Sequence, residues 1–393
     1  MIALQIAAWL IALVWMWKAV TAWRGLPKIP NLLKPEFDRS PVTNPLLTVI
    51  VPARNEAKAL PSCLESLLAQ DYANLQIIAV DDRSTDETGS IIDKLALQNS
   101  EKLKAIHITE LPAGWLGKTH AMAFAARYAI AVHHPDYLLF TDADILFARE
   151  TLRRSLAQAE ATNADHFVTF PTPIIKTPGE GMILGYLGVM GLWATRPWKA
   201  SDPKATRDSI GIGAFNLLRT EAYQKLGGFD ALRMEILEDL TLASRVKQVG
   251  LRQRVATAPG MVTLHWASGA MGIMNVMTKN LFAIFRFRIA FVLLACFGLT
   301  MLCLGPVIAL ALPATRIPAM LALVSVAALY ALSAHHSKIS TWYAALFPAG
   351  AALFLYSLLR STLTTLRGGG VTWRGTFYPL AELRSDIISR RRR

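Results

Sequence analysis

Long apolar segments at both ends of the chain constrain its fold more than any other feature of the sequence. Residues 2–20 are almost wholly apolar, and a second apolar block covers residues 289–359. A helix needs about 20 residues to cross the hydrocarbon core of a bilayer. The first segment meets that length, and the second block divides into three, at residues 289–312, 317–334 and 341–359. The sequence therefore predicts transmembrane helices at both termini.

Cations beside these segments predict their orientation. Lys18, Arg24 and Lys28 follow the first segment, which favours an uncleaved anchor at residues 1–24 and a cytoplasmic location for what comes next. Three C-terminal spans would then place the tail, residues 360–393, outside, although its arginines, including Arg390–Arg393, favour the cytoplasm. The conflict means that one segment is re-entrant or interfacial, or that a further short span is present.

Composition narrows the functional class. The 393 residues are 53% hydrophobic and 18% charged, with a net charge of +13. Three cysteines exclude a disulfide framework, and they show no metal-ligand spacing. The positive charge suits anionic lipid headgroups or an anionic substrate. Without an aromatic and basic recognition module, we expect no nucleic-acid partner.

Between the apolar ends, short β-rich runs alternate with helical ones. The predicted strands cover residues 46–53, 75–82, 103–108 and 137–142, and the predicted helices cover residues 56–70, 87–98 and 119–132. This alternation is typical of βαβ units and a mostly parallel, Rossmann-like sheet. In such α/β sheets, ligands bind outside the carboxyl ends of the strands.

Acidic residues follow three of the four predicted strands. Glu56 follows the first strand, Asp81 and Asp82 end the second, and Asp142 and Asp144 end the fourth. Each alone can be a turn or capping residue. Several carboxylates at one sheet edge repel one another unless a cation joins them. Asp142 and Asp144 therefore predict a site for Mg²⁺ or Mn²⁺, which prefer one or two carboxylates and substrate phosphates.

A lysine and a second acidic pair lie further along the chain. Gly117-Lys118-Thr119 lacks the earlier glycine of a phosphate-binding P-loop, but Lys118 opens a helix, where an anion is favoured, unless it is a solvated loop lysine. Glu238 and Asp239 begin a predicted helix at residues 239–249. They are either helix N-terminal acids that complement the macrodipole or a general base with a supporting acid.

Taken together, these motifs resemble the family 2 glycosyltransferases, which have the GT-A nucleotide-diphospho-sugar transferase fold. The resemblance covers residues 45–266 and rests on Pro52–Glu56, Val80–Asp86, Gly117-Lys118, Asp142-Ala143-Asp144, Gly227-Gly228-Phe229 and Glu238-Asp239. Trp115–Lys118 and the tail segment Trp373–Tyr378 look most like the hopene-associated, hopanoid-lipid branch of that family.

The resemblance implies roles for individual residues. Pro52, Arg54 and Glu56 would line the nucleotide-sugar pocket, and Asp81 or Asp82 would meet the base. Asp142 and Asp144 would place Mg²⁺ or Mn²⁺ on the donor diphosphate, with Lys118 close to the donor. Asp239 would be the catalytic base of an inverting hexosyl transfer, with Glu238 beside it near the acceptor.

One departure from the family concerns processivity. The Gln-x-x-Arg-Trp motif of the polysaccharide synthases is missing from the sequence, which argues for the addition of one sugar to a small acceptor. Residues 275–288 instead predict an amphipathic, cationic helix at the membrane surface, or simply a connector to the next span. Residues 182–198 are a lipid-facing wall or a helix packed on the sheet. His265 is a satisfied strand-end histidine or a metal ligand.

The predicted function is thus a membrane-bound, metal-dependent glycosyltransferase that moves a sugar from a nucleotide-sugar donor to a lipid acceptor. The predicted location is a bacterial-type inner membrane, with several spans and a cytoplasmic catalytic domain. Two alternatives remain open, a non-catalytic membrane scaffold with a glycosyltransferase fold and a nucleotidyltransferase. The triad Asp142, Asp144 and Asp239 favours catalysis over the scaffold, which would need none of them.

Overall fold

The computed structural model describes residues 1–385, and its chain forms two compact units. One, the sheet unit, contains Ile29–Thr172 and Pro197–Leu264. The other, the helical unit, contains Met1–Lys28, Pro173–Arg196 and the chain from His265 onward. The run Arg390–Arg393 lies outside the described residues. The sheet unit thus begins earlier than the predicted boundary at residue 45, and it omits a segment in the middle of that predicted domain.

The sheet unit is built from short strands joined by helices. Its strands are β1 (Leu47–Ala53), β2 (Leu75–Asp82), β3 (Leu103–Ile108), β4 (Tyr137–Phe140), β5 (Ile145–Phe147), β6 (His166–Phe170), β7 (Thr172–Pro173), β8 (Asn216–Arg219), β9 (Gln253–Thr257) and β10 (Val262–Leu264). Its helices are α2 (Leu60–Leu68), α3 (Thr88–Gln98), α4 (Gly117–Val132), α5 (Thr151–Ala161), α7 (Thr220–Lys225) and α8 (Glu238–Gln248).

Seven strands form the central sheet in the order β3-β2-β1-β4-β8-β6-β9. Strands β1 to β4 pair in parallel, and β8 is inserted antiparallel between β4 and β6. A smaller sheet has the order β5-β10-β7. The mostly parallel architecture predicted from the sequence is confirmed. It brings the carboxyl ends of β1, β2 and β4 to one edge.

Strand β1 is buried on both faces, and its alternate side chains enter two different cores, which explains the three-layer packing. Leu47, Val49 and Val51 face a core that also contains residues of α2, α3 and α5. Ile50 points the other way, into a core with α4 and α8. Helix α4 carries small buried residues toward the sheet, at Ala121, Ala123, Ala125, Ala126 and Ala129. Such small side chains permit the helix to approach the strands closely.

The helical unit is built mainly from longer helices and a hairpin. The helices are α1 (Ile2–Gly25), α6 (Pro178–Ala194), α9 (Gly269–Ile284), α10 (Ile289–Leu299), α11 (Gly305–Ala309), α12 (Arg316–Ser337) and α13 (Phe347–Gly368), and the hairpin strands are β11 (Gly370–Trp373) and β12 (Thr376–Pro379). A π-helical segment, Thr300–Leu304, joins α10 to α11. The predicted surface helix over residues 275–288 is α9, which starts earlier and ends before Arg286 and Phe287, both at positive φ.

Four helical segments in residues 1–385 are long and apolar enough to cross a membrane. They are Ile2–Lys28, Ile289–Ala309, Pro313–Ser337 and Thr341–Gly368. These segments coincide with the four apolar regions identified from the sequence. Length and composition alone qualify them, so the path of the chain through a bilayer is a separate question.

The beginning of α6 is held by one buried carboxylate. Thr177 caps the helix in a capping box with Glu180, and Pro178 occupies the first turn. Glu180 Oε1 also accepts a hydrogen bond of 2.7 Å from the backbone N–H of Gly269, at the start of α9. His265 Nε2 lies 3.4 Å from Glu180 Oε2. His265 therefore has a carboxylate neighbour, and both interpretations of it, a structural histidine and a metal ligand, stay predictions.

Helices α9 and α13 and the hairpin pack together. Arg360 Nη1 of α13 donates a hydrogen bond of 2.7 Å to Asn275 Oδ1 of α9. The Ser361 hydroxyl accepts a hydrogen bond of 3.0 Å from the backbone N–H of Phe282. Helix α13 ends at Gly369, whose left-handed conformation turns the chain into β11.

Candidate active site

The carboxyl ends of β1, β2 and β4 place the predicted residues at one sheet edge. In the parallel register, Ala53 of β1 pairs with Asp81 of β2, and Ile50 of β1 pairs with Phe140 of β4. Asp142 and Asp144 follow β4 directly, and Arg54 and Glu56 follow β1. Pro52 lies half-buried within β1 itself.

Lys118 bonds to carboxylates from two distant parts of the chain. Its Nζ lies 2.5 Å from Asp142 Oδ1 and 2.7 Å from Glu238 Oε1. Lys118 is the second residue of α4, and Glu238 is the first residue of α8. Burial by itself would lower the pKa of Lys118, but these two carboxylates raise it well above its usual range. The lysine is therefore a fixed positive charge, not a solvated loop residue.

Asp239 stands beside Glu238 and is held by a glycine loop. Gly213 donates its backbone N–H to Asp239 Oδ2 at 2.9 Å. A Cβ on Gly211 would lie 1.9 Å from the Asp239 carbonyl oxygen, so only glycine fits there. Desolvation and the negative charge of Glu238 raise the pKa of Asp239 to about 7. A carboxylate with this pKa can take up a proton near neutral pH.

Asp144 lies among other carboxylates. Burial, followed by the negative charges of Asp142 and Glu56, raises its pKa to about 6. In residues 1–385, no group of three or more His, Cys, Asp and Glu could hold a metal ion. Mg²⁺ and Mn²⁺ often use only one or two carboxylates and take substrate phosphates as further ligands. The Asp142 and Asp144 pair fits an ion bound in that way, and does not fit an ion held by the protein alone.

Asp81 and Asp82 are held by different partners. Asp81 Oδ1 accepts a hydrogen bond of 3.1 Å from the Ser84 N–H, and its Oδ2 lies 3.3 Å from His107 Nδ1. Asp82 pairs with Arg83, whose Nε lies 2.8 Å from Asp82 Oδ1. Asp82 is buried, whereas Asp81 is partly accessible. The accessible carboxylate of the two is therefore the better candidate for a ligand contact.

Hydrogen bonds join the loops that follow β1 and β2. The backbone N–H of Asn55 donates to Ser84 Oγ at 3.0 Å, and its side-chain oxygen accepts from the Thr85 N–H at 2.8 Å. The Glu56 N–H donates to Thr88 Oγ1 at 2.8 Å. These bonds fix the segment containing Arg54 and Glu56 against the segment containing Asp81.

Several residues of this site were missed at the level of sequence. His107 bridges Asp81 and Asp93, at 3.3 Å and 2.8 Å. Gly211 and Gly213 support Asp239 and Asp142 from a loop without regular structure. The spacing Gly-Ile-Gly before β8 was the only available signal, and it matches no phosphate-binding motif. These residues gain their importance from contacts distant in sequence.

The fold places this protein in the class of α/β sheet proteins, whose ligands bind at the carboxyl ends of the strands. Its chain also contains long apolar helices. Residues 48–227 match the family model "Glycosyl transferase family 2". Residues 48–227 are therefore similar to family 2 glycosyltransferases, the family that the motifs resemble.

Curated relatives and a solved structure agree with this family. A 4,4'-diaponeurosporenoate glycosyltransferase from Staphylococcus haemolyticus is 25% identical over 64% of this chain and 64% of its own length. Glycosyltransferase GlyG from Streptococcus pneumoniae is 32% identical over 30% of this chain and 37% of its own. The matched segments thus span less than two thirds of these relatives.

The structural comparison bears on the fold. A mannosyltransferase from Pyrobaculum calidifontis, solved in complex with GDP-Man and Mn²⁺, aligns over 98% of both chains with a TM-score of 0.50 and 22% identity. At that identity, the similarity establishes the fold. The expectation of a GT-A type architecture is confirmed.

Proposed function

We propose that this protein transfers one sugar from a nucleoside-diphosphate donor to a hydroxyl group of a membrane lipid, with inversion at the anomeric carbon. The observation that carries this proposal is the bonding of Lys118 to Asp142 and Glu238, directly beside Asp239. Three chain segments converge there. They supply a cation, acids that would bind a metal ion, and a candidate base. The names of the curated relatives support glycosyl transfer, and one of them is named for transfer to 4,4'-diaponeurosporenoate.

The proposed chemistry is a single displacement. Asp239 takes the proton of the acceptor O–H while the acceptor oxygen forms its bond to the anomeric carbon. The bond from that carbon to the diphosphate breaks in the same step, and the nucleoside diphosphate leaves with the electron pair. The Gly213 N–H orients the Asp239 carboxylate by its hydrogen bond. Lys118 pairs with Glu238 and adds positive charge where the diphosphate would lie.

Asp142 and Asp144 are the residues that would hold Mg²⁺ or Mn²⁺. When bound, the ion would offset the negative charge that develops on the departing diphosphate. Asp142, Asp144 and Glu56 lie close together, and the positive charge of Lys118 offsets only part of their mutual repulsion. A further cation would therefore stabilise this edge. Pro52, Arg54 and Glu56, with Asp81, are proposed to line the remainder of the nucleotide pocket.

The first test is donor binding by the purified, full-length protein in detergent. Thermal unfolding is measured with UDP, GDP and their sugars, first with Mn²⁺ and then with EDTA. We expect one nucleotide diphosphate to raise the unfolding temperature only when the metal is present. If no nucleotide stabilises the protein under either condition, the non-catalytic scaffold becomes the better explanation.

The second test changes the base. Asp239→Asn keeps an acceptor oxygen for the Gly213 N–H but cannot take a proton, so transfer of labelled sugar to lipid should fall at least about 100-fold. Donor stabilisation should remain. Asp144→Ala should instead weaken the metal-dependent donor shift. Asp230→Asn, at a surface ion pair with Arg127, is the control and should retain both activities. Turnover by Asp239→Asn at the parent rate would remove the base assignment.

The contacts of the helical unit also support a topology for the membrane segments. Gln5 Nε2 donates to the Ala314 carbonyl at 3.3 Å, and Trp15 Nε1 donates to the Leu302 carbonyl at 2.9 Å. The α10–α11 segment therefore runs antiparallel to α1. Arg384 Nη2 donates to the Phe287 carbonyl at 2.8 Å, so the chain before α10 meets the chain after α13.

That last contact supports an even number of crossings between Phe287 and Arg384. Three apolar segments lie between them, and the number is even if one of them does not cross. Helix α13 is the best candidate, since its first residue, Phe347, contacts Trp15 and Tyr330 within α1 and α12, away from their ends. We propose that α1, α10–α11 and α12 cross and that α13 re-enters. This topology agrees with a basic C-terminal tail on the same side of the membrane as the sheet unit. That side is proposed to be the cytoplasmic side of a bacterial-type inner membrane.

A further inference from the structure

A cavity of about 770 Å³ opens in the helical unit, and none of its lining residues belongs to the candidate active site. It lies between α9, the last turns of α13 and the β11–β12 hairpin, and Lys279, Thr365, Trp373, Arg374 and Phe377 are among its lining residues. Its volume is within the range of small-molecule sites. None of its lining residues is acidic.

The charge around this cavity favours an anion. Residues 265–385 contain nine lysines and arginines but a single acidic residue, Glu382. Lys279 Nζ lies 3.9 Å from the centre of the Trp373 ring, an arrangement that fixes the ammonium group at the wall. Arg374 lines the wall at the turn of the hairpin. Threonines of α13 and β11 add hydroxyl groups to the same wall, at Thr364, Thr365 and Thr372.

The walls of the cavity are fixed by close packing. Gly370 begins β11, and a Cβ there would lie 2.3 Å from the Tyr378 carbonyl oxygen and 2.7 Å from the Phe377 ring. The bond of Arg360 to Asn275 joins α13 to α9 at the side of the cavity. The hairpin is therefore held at a set distance from α9.

Helix α13 carries an apolar stripe on the face opposite the residues that line the cavity. Tyr356, Leu359, Leu363 and Leu366 are 53%, 44%, 50% and 36% exposed, and their spacing puts them on one helix face. They belong to one of the segments long and apolar enough for a membrane. The cavity therefore adjoins the end of a helix whose other face suits contact with hydrocarbon.

We propose that this cavity binds the phosphate headgroup of an anionic glycerophospholipid, whose acyl chains extend into the hydrocarbon around α13. Basic pockets beside membrane helices are suited to such headgroups, and aromatic residues are favoured at the same depth. The lipid bound here is separate from the acceptor of the transfer reaction. It would secure α9 and the hairpin, which carry the contacts around the last membrane segment.

The test uses the full-length protein, delipidated in detergent and then incorporated into nanodiscs. Retained lipid is measured by native mass spectrometry, and thermal unfolding is measured in dioleoylphosphatidylglycerol or dioleoylphosphatidylcholine. We expect selective retention of phosphatidylglycerol and a higher unfolding temperature in that lipid. The double variant Lys279→Gln/Arg374→Gln should bind phosphatidylglycerol at least tenfold more weakly. Lys338→Gln, a cation at the other end of the α12–α13 segment, should behave like the parent.

Two further arms keep the proposal testable. The charge-conserving variant Lys279→Arg/Arg374→Lys should retain binding, which separates loss of charge from loss of fold. Inorganic phosphate at matched concentration should stabilise the protein little. Parent-like lipid binding by the Gln variant, or equal stabilisation by inorganic phosphate, would overturn the assignment to a lipid.

Discussion

At the scale of single residues, the candidate active site depends on glycines, because their backbone contacts acidic side chains at positions where a Cβ would not fit. Gly213 supplies an N–H to Asp239, and it also faces Asp142 and Lys118. Gly117, just before Lys118, packs against Asp82, where a Cβ would lie 2.3 Å from Oδ2. Glycine at these positions allows the acids and the lysine to converge without displacement.

The Gly213→Ala variant should disturb this arrangement. The added Cβ would lie 2.7 Å from Asp142 Oδ2 and 3.4 Å from Lys118 Nζ, so Asp142 must move. Displacement of Asp142 should weaken donor binding roughly tenfold. Overpacking of this kind also costs about 1–3 kcal/mol of stability, so the unfolding temperature should fall as well. Gly191→Ala, where nothing lies within 4 Å, is the control. Equal donor affinity in both variants would contradict the placement of Asp142 in the donor site.

The pKa of Asp239 gives a prediction for pH. A general base works when deprotonated, and desolvation with Glu238 raises the pKa of Asp239 to about 7. Therefore kcat/KM for the donor should rise about tenfold per pH unit below 7 and level off above it. The profile is measured with labelled donor and a fixed lipid acceptor. A flat profile between pH 5 and 8 would argue against Asp239 as the base.

At the scale of elements, the sequence pattern located the strands that carry the site. Residues 75–82 and 103–108 were predicted as strands, and β2 and β3 have those bounds. The helix predicted over residues 239–249 is α8, one residue earlier. Alternation and buried β-branched runs are local signals, which explains this agreement.

The remaining parts of the fold depend on contacts between distant residues. Strand β8 inserts antiparallel between β4 and β6. It has only four residues, and the pattern of so short a strand cannot predict which strands it pairs with. Similarly, α6 was left open between a lipid-facing wall and a sheet-packed helix. It belongs to the helical unit, where Tyr186 contacts Phe347 and Phe354 of α13. The convergence of Lys118, Asp142 and Glu238 likewise needed three dimensions to appear.

Glu180 is expected to stabilise two helices at once. Burial would raise its pKa, but the N–H groups of Gly269 and Lys176 lower it to about 2. Glu180→Gln should therefore lower the free energy of unfolding by about 1–3 kcal/mol. The deficit should be full above about pH 4.5, the ordinary pKa, and should shrink as the pH falls toward 2.

This prediction is checked by thermal unfolding in detergent at pH 7 and at successively lower pH. Glu221→Gln, at an exposed acid in the first turn of α7, is the control. An unfolding temperature of Glu180→Gln equal to that of the control would show that the carboxylate does not join α6 and α9 in the way described.

At the scale of the whole molecule, membrane topology connects the helical segments with the orientation of the chain. The re-entrant arrangement predicts that Ala311 lies on one side of the membrane and that Ser340 and Ser385 lie on the other. Single cysteines are introduced at these three exposed positions and labelled with an impermeant maleimide in right-side-out and inverted vesicles.

We expect Ser340→Cys and Ser385→Cys to react in the same vesicle preparation, and Ala311→Cys in the opposite one. The unchanged protein sets the background, since Cys63 and Cys303 are buried. Labelling of Ser385→Cys together with Ala311→Cys would mean that α13 crosses the membrane and that the contact of Arg384 with Phe287 has been misread.

The hairpin after α13 also bears on how the protein is made. Its strands, β11 and β12, supply one wall beside α9, yet they are translated about 90 residues later than α9. During synthesis one side of α9 stays uncovered until the apolar segments between α9 and the hairpin have been made. A nascent chain that stops before Gly370 would leave that side open to chaperones and proteases, so completion of the last strands is a checkpoint on correct insertion.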